Sequence, residues 1–437
     1  MTDEKDLFKT SMEELFSLSR FGIKLGLETI SAMLSAVGAP QKSFRAVHVA
    51  GTNGKGSVSA TLSCILHRAG FSVGTYTSPH LVSVNERFCV DGRPVSDREI
   101  IEAYQALKKT PGLDRSPTFF EYTTAMAFFI FAKRRVDWAV VETGMGGRLD
   151  ATNILKPEAS VITNISLEHQ FYLGNTIAAI ASEKGGIIKK DTPVVSAASQ
   201  KSAVSTLEKI AAKKNAPLFL YGRDFSTRKK RDGSFDYEGI SQRMPGVKKV
   251  LAGAHQVANA ACVLAACEVL REKGVSLPEK AVREGFLSVR WPGRLDEIPG
   301  PPRVLLDGAH NKDALDKLCA HLDRQIPPER LIVVAGFLED KPYSYMLEAL
   351  MRRSRALFLT RPSIDRAVDP KEIAKNLPPG SCLKLAESTD AALGSAMGEA
   401  KDGDVILVTG SLYMVGEALS ALERRGMWNG LFRLWDD

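Results

Sequence analysis

Short apolar runs alternate with longer amphipathic stretches along most of this chain. In the first half, the apolar runs predict four β-strands, at residues 46–50, 73–77, 138–141 and 160–163. The stretches between them have helical patterning, including residues 96–109 and 122–135. Strands that alternate with helices in this way indicate a parallel sheet covered by helices on both faces.

The flanking regions follow other patterns. Helical patterning dominates residues 4–37, and residues 215–250 are polar and rich in turns, which predicts short β hairpins before an alanine-rich helix at 254–273. Residues 296–303 hold three prolines and a glycine, which predicts a linker. Beyond it, a second alternating series predicts strands at 304–306, 331–335, 356–360 and 405–408.

These patterns predict an α/β protein of two domains. Because 437 residues exceed one ordinary core, two units are expected on length alone. Residues 1–296 are predicted to form the larger unit, a P-loop ATPase type of domain with a parallel sheet and a small β subregion. Residues 297–437 are predicted to form a smaller, Rossmann-like, doubly wound unit.

Composition narrows the classes of partner. The chain is 44% hydrophobic and 25% charged, which is typical of a soluble globular protein. Its net charge of +7 mildly favours anionic ligands, but the charge is spread out, whereas nucleic-acid binding favours a concentrated basic face. The densest basic run, residues 228–231, precedes Asp232-Gly233 and predicts a solvated hairpin near its turn. No nucleic-acid partner is expected.

Cysteine usage and terminal sequence indicate a cytoplasmic protein. The six cysteines show no C-x-x-C pair, which argues against a disulfide framework or a structural zinc site and fits a reducing cytosol. The first residues are charged and lack the apolar core of a signal peptide. The longest aromatic and apolar run, residues 125–132, is too short to span a bilayer, so no membrane association is expected.

The most informative segment is the glycine-rich turn after the first predicted strand, Gly51-Thr-Asn-Gly-Lys-Gly-Ser57. A strand, a glycine loop with one lysine, and a helix together cradle phosphates, because loop N–H groups, the helix N-terminus and the lysine all attract the anion. The spacing departs from the general phosphate loop, since Gly56 stands between Lys55 and Ser57. The alternative is a plain turn with a solvated Lys55, but the flanking strand and helix favour phosphate.

Chemically useful side chains follow the other three predicted strands. Ser78, Glu142 and the pair Glu168-His169 each come at or just after a strand end. Parallel strands end on one edge, where ligands bind, so these groups are predicted to meet the glycine loop, a set that suits Mg²⁺-nucleotide chemistry. Each has a plain alternative: a turn residue for Ser78, a partner of Arg148 for Glu142, a surface histidine for His169.

Other chemistries lack their motifs. The chain has no G-x-S-x-G elbow and no cysteine in a nucleophile motif, which leaves little support for covalent hydrolysis. No G-x-G-x-x-G follows the first predicted strand, so a dinucleotide site has weak support.

With these residues in view, the chain resembles the Mur ligase superfamily, and within it the folylpolyglutamate synthase/dihydrofolate synthase family. The resemblance covers nearly the whole chain and rests on the order and spacing of motifs at residues 48–57, 76–81, 119–121, 142–153, 181–187, 255–259, 291–294, 306–311 and 410–413. It implies an ATPase domain, a Rossmann-like domain and an active site between them. It also implies that a folate or pteroate carboxylate takes the γ-phosphate of ATP, and that L-glutamate displaces phosphate from the acyl phosphate.

The resemblance assigns a role to each candidate residue. ATP-binding residues are Gly51, Thr52, Asn53, Gly54, Lys55, Gly56, Ser57, Asn259, Arg294, Asp307 and His310. Two Mg²⁺ ions are implied, the first on Ser78 and Glu142 and the second on His169 and a carbamylated Lys184. Catalysis is assigned to Lys55, Glu142, His169 and Lys184, and folate binding to Phe120 and Glu121. For Lys184 the alternative is a helix lysine paired with Glu183. A monomer is expected.

Several points stay open. Glu168 stands where the family usually has aspartate, and its longer side chain is expected to be tolerated. Residues 21–27 and the loop after His80 are expected to shape a pterin site, but they do not show whether dihydropteroate is a substrate. The alternative functions are another amino-acid ligase of the superfamily, such as a cell-wall enzyme, and a nucleotide-binding module that has lost catalysis.

Overall fold

The computed structural model describes residues 4–18, 22, 24–249, 251–375 and 383–436. Its largest sheet has the strand order β4-β3-β2-β5-β1-β6-β7-β8. Six strands run parallel, while β3 pairs antiparallel with β2 and β4 with β3. The strands are β1 (Arg45–Ala50), β2 (Val73–Tyr76), β3 (Phe88–Val90), β4 (Arg93–Pro94), β5 (Trp138–Glu142), β6 (Ala159–Ile162), β7 (Val194–Ser196) and β8 (Leu218–Leu220).

Helices cover both faces of this sheet, as the alternating pattern predicts. They are α1 (Glu4–Ser17), α2 (Glu28–Ala36), α3 (Lys55–Arg68), α4 (Asp97–Lys108), α5 (Phe119–Lys133), α6 (Gln170–Leu173), α7 (Ile177–Gly185), α8 (Lys201–Lys213), α9 (Gln256–Glu272) and α10 (Glu279–Ser288). In β5, Trp138 and Val140 pack towards α3, α9 and α10, whereas Ala139 and Val141 pack towards α5. Both faces are buried, which is why these strands read as continuous apolar runs.

A small antiparallel sheet packs beside α9. It comprises β9 (Ser226–Lys229), β10 (Phe235–Glu238) and β11 (Arg243–Val247). The buried carboxylate of Glu268 on α9 anchors it, accepting hydrogen bonds from Tyr237 Oη at 2.6 Å and from the Ser241 amide at 2.7 Å. The predicted hairpins are confirmed here, but residues 218–220 instead form β8 of the large sheet.

The second α/β unit is a six-stranded sheet with the order β12-β13-β17-β14-β15-β16. Only β12 is antiparallel to its neighbour. The strands are β12 (Arg294–Ile298), β13 (Arg303–Asp307), β14 (Leu331–Ala335), β15 (Ala356–Leu359), β16 (Leu383–Leu385) and β17 (Val405–Thr409). The helices are α11 (Lys312–Gln325), α12 (Tyr343–Met351), α13 (Pro370–Lys375), α14 (Thr389–Glu399) and α15 (Leu412–Arg424). The predicted α/β class with a second Rossmann-like unit is confirmed.

One organisational prediction needs correction. The predicted linker, residues 296–303, is a hairpin within the second unit, because β12 pairs with β13. Prolines and glycine suit the turn of a hairpin as well as a linker, and the predicted boundary after residue 296 falls inside β12. The predicted helical region at 4–37 contains the two helices α1 and α2. Residues 19–21 and 23 lie outside the described residues, and they include Phe21 and Ile23 of the segment expected to shape a pterin site.

The chain crosses between the two units near residue 290 and returns at its end. Leu434 and Trp435 pack on the first unit beside Cys64 and Val289, and the Arg290 amide donates to the Leu434 carbonyl at 2.7 Å. The second unit is therefore tied to the first at both of its ends.

Two further observations concern the cysteines and the helices. Cys64, Cys89, Cys262, Cys267 and Cys319 are free and buried, and Cys382 lies outside the described residues. In the part of the chain that the structure describes, no helix combines the length and apolarity needed to cross a bilayer.

Candidate active site

The glycine-rich loop joins β1 to α3 at the edge where β2, β5 and β6 also end. Gly51 has φ +145°, and a Cβ there would lie 1.7 Å from Thr163 Oγ1. Gly54 precedes α3 with φ +91°, and its Cβ would lie 2.5 Å from Asn259 Oδ1. Only glycine fits both positions, so the loop backbone lies tightly against the neighbouring strand end and α9.

Hydrogen bonds from the β6 strand end fix the loop further. The Thr52 amide donates to the Asn164 carbonyl and the Asn53 amide to Asn164 Oδ1, both at 2.8 Å. Thr163 Oγ1 donates to the Asn53 carbonyl, also at 2.8 Å. The loop is thus held in place before any anion binds at the N-terminus of α3.

A lysine–carboxylate pair lies beside the loop, with Glu142 buried and Lys55 half-buried. Lys55 Nζ is 3.7 Å from Glu142 Oε1 and donates to the Thr52 carbonyl at 3.2 Å. Glu142 also accepts from the Ser78 amide at 3.3 Å. Burial raises the pKa of Glu142, although the charge of Lys55 opposes the shift. The sheet edge therefore brings the loop, Ser78 and Glu142 together.

Arg148 and Glu183 pair with each other, at 2.9 Å. This contact removes the alternatives in which Arg148 held Glu142 or Glu183 held Lys184. Lys184 instead reaches the loop, where its Nζ donates to the Gly51 carbonyl at 2.6 Å.

Lys184 is a buried amine at this edge. Within the described residues it has no carboxylate within 4 Å, and burial, assisted by the charge of Lys55, lowers its pKa to about 7. A substantial fraction of the side chain is therefore an uncharged, nucleophilic amine near neutral pH.

Replacing Lys184 by methionine is expected to raise the free energy of unfolding at pH 7 by about 2 kcal/mol, because relief of the buried charge outweighs loss of the hydrogen bond to the Gly51 carbonyl. In the unfolded chain the Lys184 amine has the ordinary lysine pKa, whereas in the folded chain its pKa is lowered to about 7. The stability of the wild type should therefore rise with pH between these values, so that the gap to the variant narrows from pH 7 to pH 9.

Urea unfolding at both pH values, in buffer purged of carbon dioxide so that the amine stays unmodified, measures this effect. Lys190→Met, which changes an exposed lysine nearby, is the control and should be neutral. A Lys184→Met chain less stable than the wild type at both pH values would contradict the assignment of a costly buried charge.

His169 begins α6 with left-handed backbone, φ +49°. Burial lowers its pKa to about 4, so the imidazole is neutral at neutral pH and has a lone pair to offer. Within the described residues, no three His, Cys, Asp or Glu side chains lie close enough together to form a metal site by themselves.

A first cavity, the loop cavity, lies between the two units and has a volume of about 160 Å³. Its walls contain most of the residues predicted from the sequence: Thr52, Asn53, Gly54, Lys55, Gly56, Ser57, Ser78, Glu142, His169, Lys184, Arg294, Asp307 and His310. Asn259 does not line it. Its side chain packs behind Gly54 and donates to Gln256 Oε1 at 2.9 Å. Gly51 likewise lies behind the cavity, with its carbonyl on Lys184.

A second cavity, the aromatic cavity, has a volume of about 430 Å³ and is lined by both units. Phe119 and Phe120 from α5 form part of its wall, and four cationic side chains line it as well: Lys24, Arg87, Lys341 and Arg366. Glu121 also lines this cavity, but its carboxylate is engaged by Arg115 at 2.7 and 2.9 Å and caps α5.

The two cavities meet. Ser78, Gly144, His169 and His310 are among the residues that line both of them. Molecules bound in the two cavities would therefore have their nearest atoms beside Ser78 and His169.

Sequence reasoning missed some residues of the aromatic cavity. Asp150 and Tyr413 belong to the motifs at 142–153 and 410–413, which received no role for them. No sequence pattern marks Arg87 as a site residue, because it precedes β3, a strand that the apolar pattern does not predict. It is buried, donates from Nε to His80 Nδ1 at 2.8 Å, and lies 5.0 Å above the Phe119 ring.

The first unit, with a phosphate-type loop at the edge of its parallel sheet, and the second α/β unit that faces it each match a Mur ligase family model. The family model described as Mur ligase middle domain matches residues 49–267, and that of the Mur ligase glutamate ligase domain matches residues 293–412.

Individual relatives are similar over nearly the whole chain. The dihydrofolate synthase/folylpolyglutamate synthase of Bacillus subtilis is 36% identical over 419 residues, covering 92% of this chain and 96% of the relative. A Mycobacterium tuberculosis folylpolyglutamate synthase complexed with ADP and AMPPCP has a TM-score of 0.88 at 31% identity, covering 96% of this chain and 98% of that one. Escherichia coli FolC in complex with DHPP and ADP has a TM-score of 0.87, again at 31% identity, with 95% and 98% covered.

The chain belongs to the folylpolyglutamate synthase/dihydrofolate synthase family of Mur ligases. It is accordingly an ATP-dependent ligase, as the sequence predicts.

Proposed function

We propose that this enzyme joins L-glutamate to the carboxylate of a folate or pteroate through an acyl-phosphate intermediate. The meeting of the two cavities at Ser78 and His169 is the observation that carries the proposal. One cavity has a phosphate loop and the other has aromatic walls with cations, so a triphosphate and a flat, carboxylate-bearing acceptor would face each other at the junction.

The loop cavity suits ATP. Loop amides and Lys55 are placed to neutralise the β- and γ-phosphates. Arg294, Asp307 and His310 come from the second unit, so nucleotide bound here would contact both units and hold them together.

The aromatic cavity suits the acceptor. Phe119 and Phe120 offer a surface for a flat heteroaromatic ring, and Arg87 and Lys341 offer positive charge to carboxylates. Tetrahydrofolate and dihydropteroate share these features, and we propose that both are substrates.

The reaction would use this junction in two displacements. An acceptor carboxylate oxygen attacks the γ-phosphorus, and the bond from that phosphorus to the bridging oxygen of ADP breaks. The glutamate amine then attacks the acyl carbon, and phosphate leaves with the oxygen that came from the carboxylate. The chain's main contribution is to hold the reactants in line and to neutralise their charge.

We propose that Mg²⁺ binds at two positions. Glu142 is a buried carboxylate beside Ser78, and magnesium completes its shell with phosphate oxygens and water. Bound Mg²⁺ would supply charge neutralisation on the phosphates. A second site at His169 needs Lys184 as a carbamate, which forms when the neutral amine adds carbon dioxide and releases a proton. The lowered pKa of Lys184 supports that step.

We further propose that the enzyme acts as a monomer in the cytoplasm. Five buried, unpaired cysteines support a reducing compartment.

Phosphate release with Mg-ATP and L-glutamate tests the proposal, with dihydropteroate in one tube and tetrahydrofolate in another, and with products identified by mass. Turnover in both tubes is expected, and it should stop when glutamate is omitted. Turnover with tetrahydrofolate alone would restrict the enzyme to polyglutamylation. No phosphate release in either tube, from a protein that still binds ATP, would overturn the folate assignment and favour another amino-acid ligase or a non-catalytic module.

A further inference from the structure

Six polar side chains form a network across the cleft between the two units. Asn53, Asn164 and Glu168 come from the loops of the first sheet, whereas His310, Asn311 and Asp313 come from the end of β13 and the start of α11. We call these six residues the cross-cleft latch. Its contacts across the cleft are made directly between side chains of the two units.

Asp313 is the anchor on the second unit. Its Oδ2 accepts hydrogen bonds from Asn53 Nδ2 at 2.7 Å and from Asn164 Nδ2 at 2.8 Å. Lys317, one turn further along α11, pairs with the same oxygen at 2.6 Å. The side chain of Asn53 thus points to the second unit, while its backbone remains part of the phosphate loop.

Glu168 reaches across in the opposite direction. Its Oε1 lies 3.3 Å from His310 Nε2 and 3.2 Å from Asn311 Nδ2. Asn311 also donates to Asn53 Oδ1 at 3.1 Å, and its own oxygen caps α11 by accepting from the Ala314 amide. One carboxylate from each unit therefore binds groups on the other.

We propose that Asp313 and Glu168 are positioning residues that hold the cleft closed before ATP binds and thereby set the apparent affinity for ATP. The link to ATP rests on the proposed function. A ligand that binds only the closed form has an apparent dissociation constant equal to the intrinsic one divided by the closed fraction. Weakening the latch lowers that fraction, and saturating ATP restores closure because ATP contacts both units.

The principal test compares Asp313→Ala with Asp316→Ala. Both positions are on α11 and both carry an aspartate paired with a helix lysine, but the contacts of Asp316, to Lys312 and Tyr345, stay within the second unit. Small-angle X-ray scattering without nucleotide measures opening as an increased radius of gyration. Turnover measured over a range of ATP concentrations gives KM and kcat, and thermal unfolding shows whether each variant is folded.

Asp313→Ala is expected to increase the radius of gyration without nucleotide and to raise KM for ATP about tenfold, with kcat at saturating ATP within about twofold of wild type. Asp316→Ala should match the wild type. An Asp313→Ala chain with wild-type scattering and wild-type KM would overturn the proposal. Scattering needs no substrate, so it decides the closure even if none of the proteins ligates the offered acceptors.

A second comparison uses side-chain length at position 168 and is read by scattering alone. Glu168→Asp keeps the charge but shortens the reach to His310, whereas Glu168→Gln keeps the length and an accepting oxygen. The latch predicts opening in Glu168→Asp and a closed molecule in Glu168→Gln. If Asp313→Ala loses its fold, this pair still decides the outcome, and equal scattering from both variants and the wild type would then contradict the latch.

Discussion

Glu142→Ala is expected to lower kcat for ligation by about a thousandfold while leaving the protein folded. The carboxylate lies in the loop cavity between Lys55 and Ser78, where the proposal assigns it as a ligand that would hold Mg²⁺. Burial raises its pKa, so the fold does not depend on its charge, and its removal should cost little stability. Product formation and thermal unfolding measure the two effects.

Glu183→Ala is the matched control, because Glu183 pairs with Arg148 and lines neither cavity. It should retain most of the activity. Wild-type ligation by a folded Glu142→Ala enzyme would remove Glu142 from the metal site.

Lys184→Ala is expected to reduce ligation by a similar factor, and added acetate should restore part of the activity. The reason is that a carbamate is a carboxylate-like oxygen ligand, which a small carboxylic acid can replace in the space left by the side chain. Lys55→Ala should be equally inactive but should not respond to acetate, because Lys55 acts as a cation.

Carbon-13 NMR of the wild type in labelled bicarbonate provides the direct readout, with a carbamate resonance that is missing in Lys184→Ala. Full activity in Lys184→Ala, or an active wild type without that resonance, would contradict a carbamylated ligand.

The sequence predicts those parts of the fold in which burial requires a recognisable run of apolar residues. β1, β2, β5 and β6 lie inside the sheet with both faces covered, and their apolar runs locate them to within a residue or two. β3 and β4 are too short for a pattern to emerge. The sequence pattern does not predict β12, because the prolines and glycine in the turn between β12 and β13 resemble those of a linker.

The candidate site divides in the same way. Residues at strand ends, such as Ser78, Glu142 and His169, could be placed together because parallel topology alone brings them to one edge. The latch could not be predicted, since the contact of Asn53 with Asp313 depends on how the two units face each other. Local sequence patterns do not predict the orientation of one unit relative to the other.

The central claim is that an acceptor carboxylate is phosphorylated by ATP before glutamate joins it. The most direct measurement uses dihydropteroate labelled with oxygen-18 in its carboxylate, Mg-ATP and L-glutamate, followed by mass analysis of both products. We expect dihydrofolate together with phosphate that carries one labelled oxygen per turnover. Unlabelled phosphate, or phosphate released at the same rate without glutamate, would contradict it.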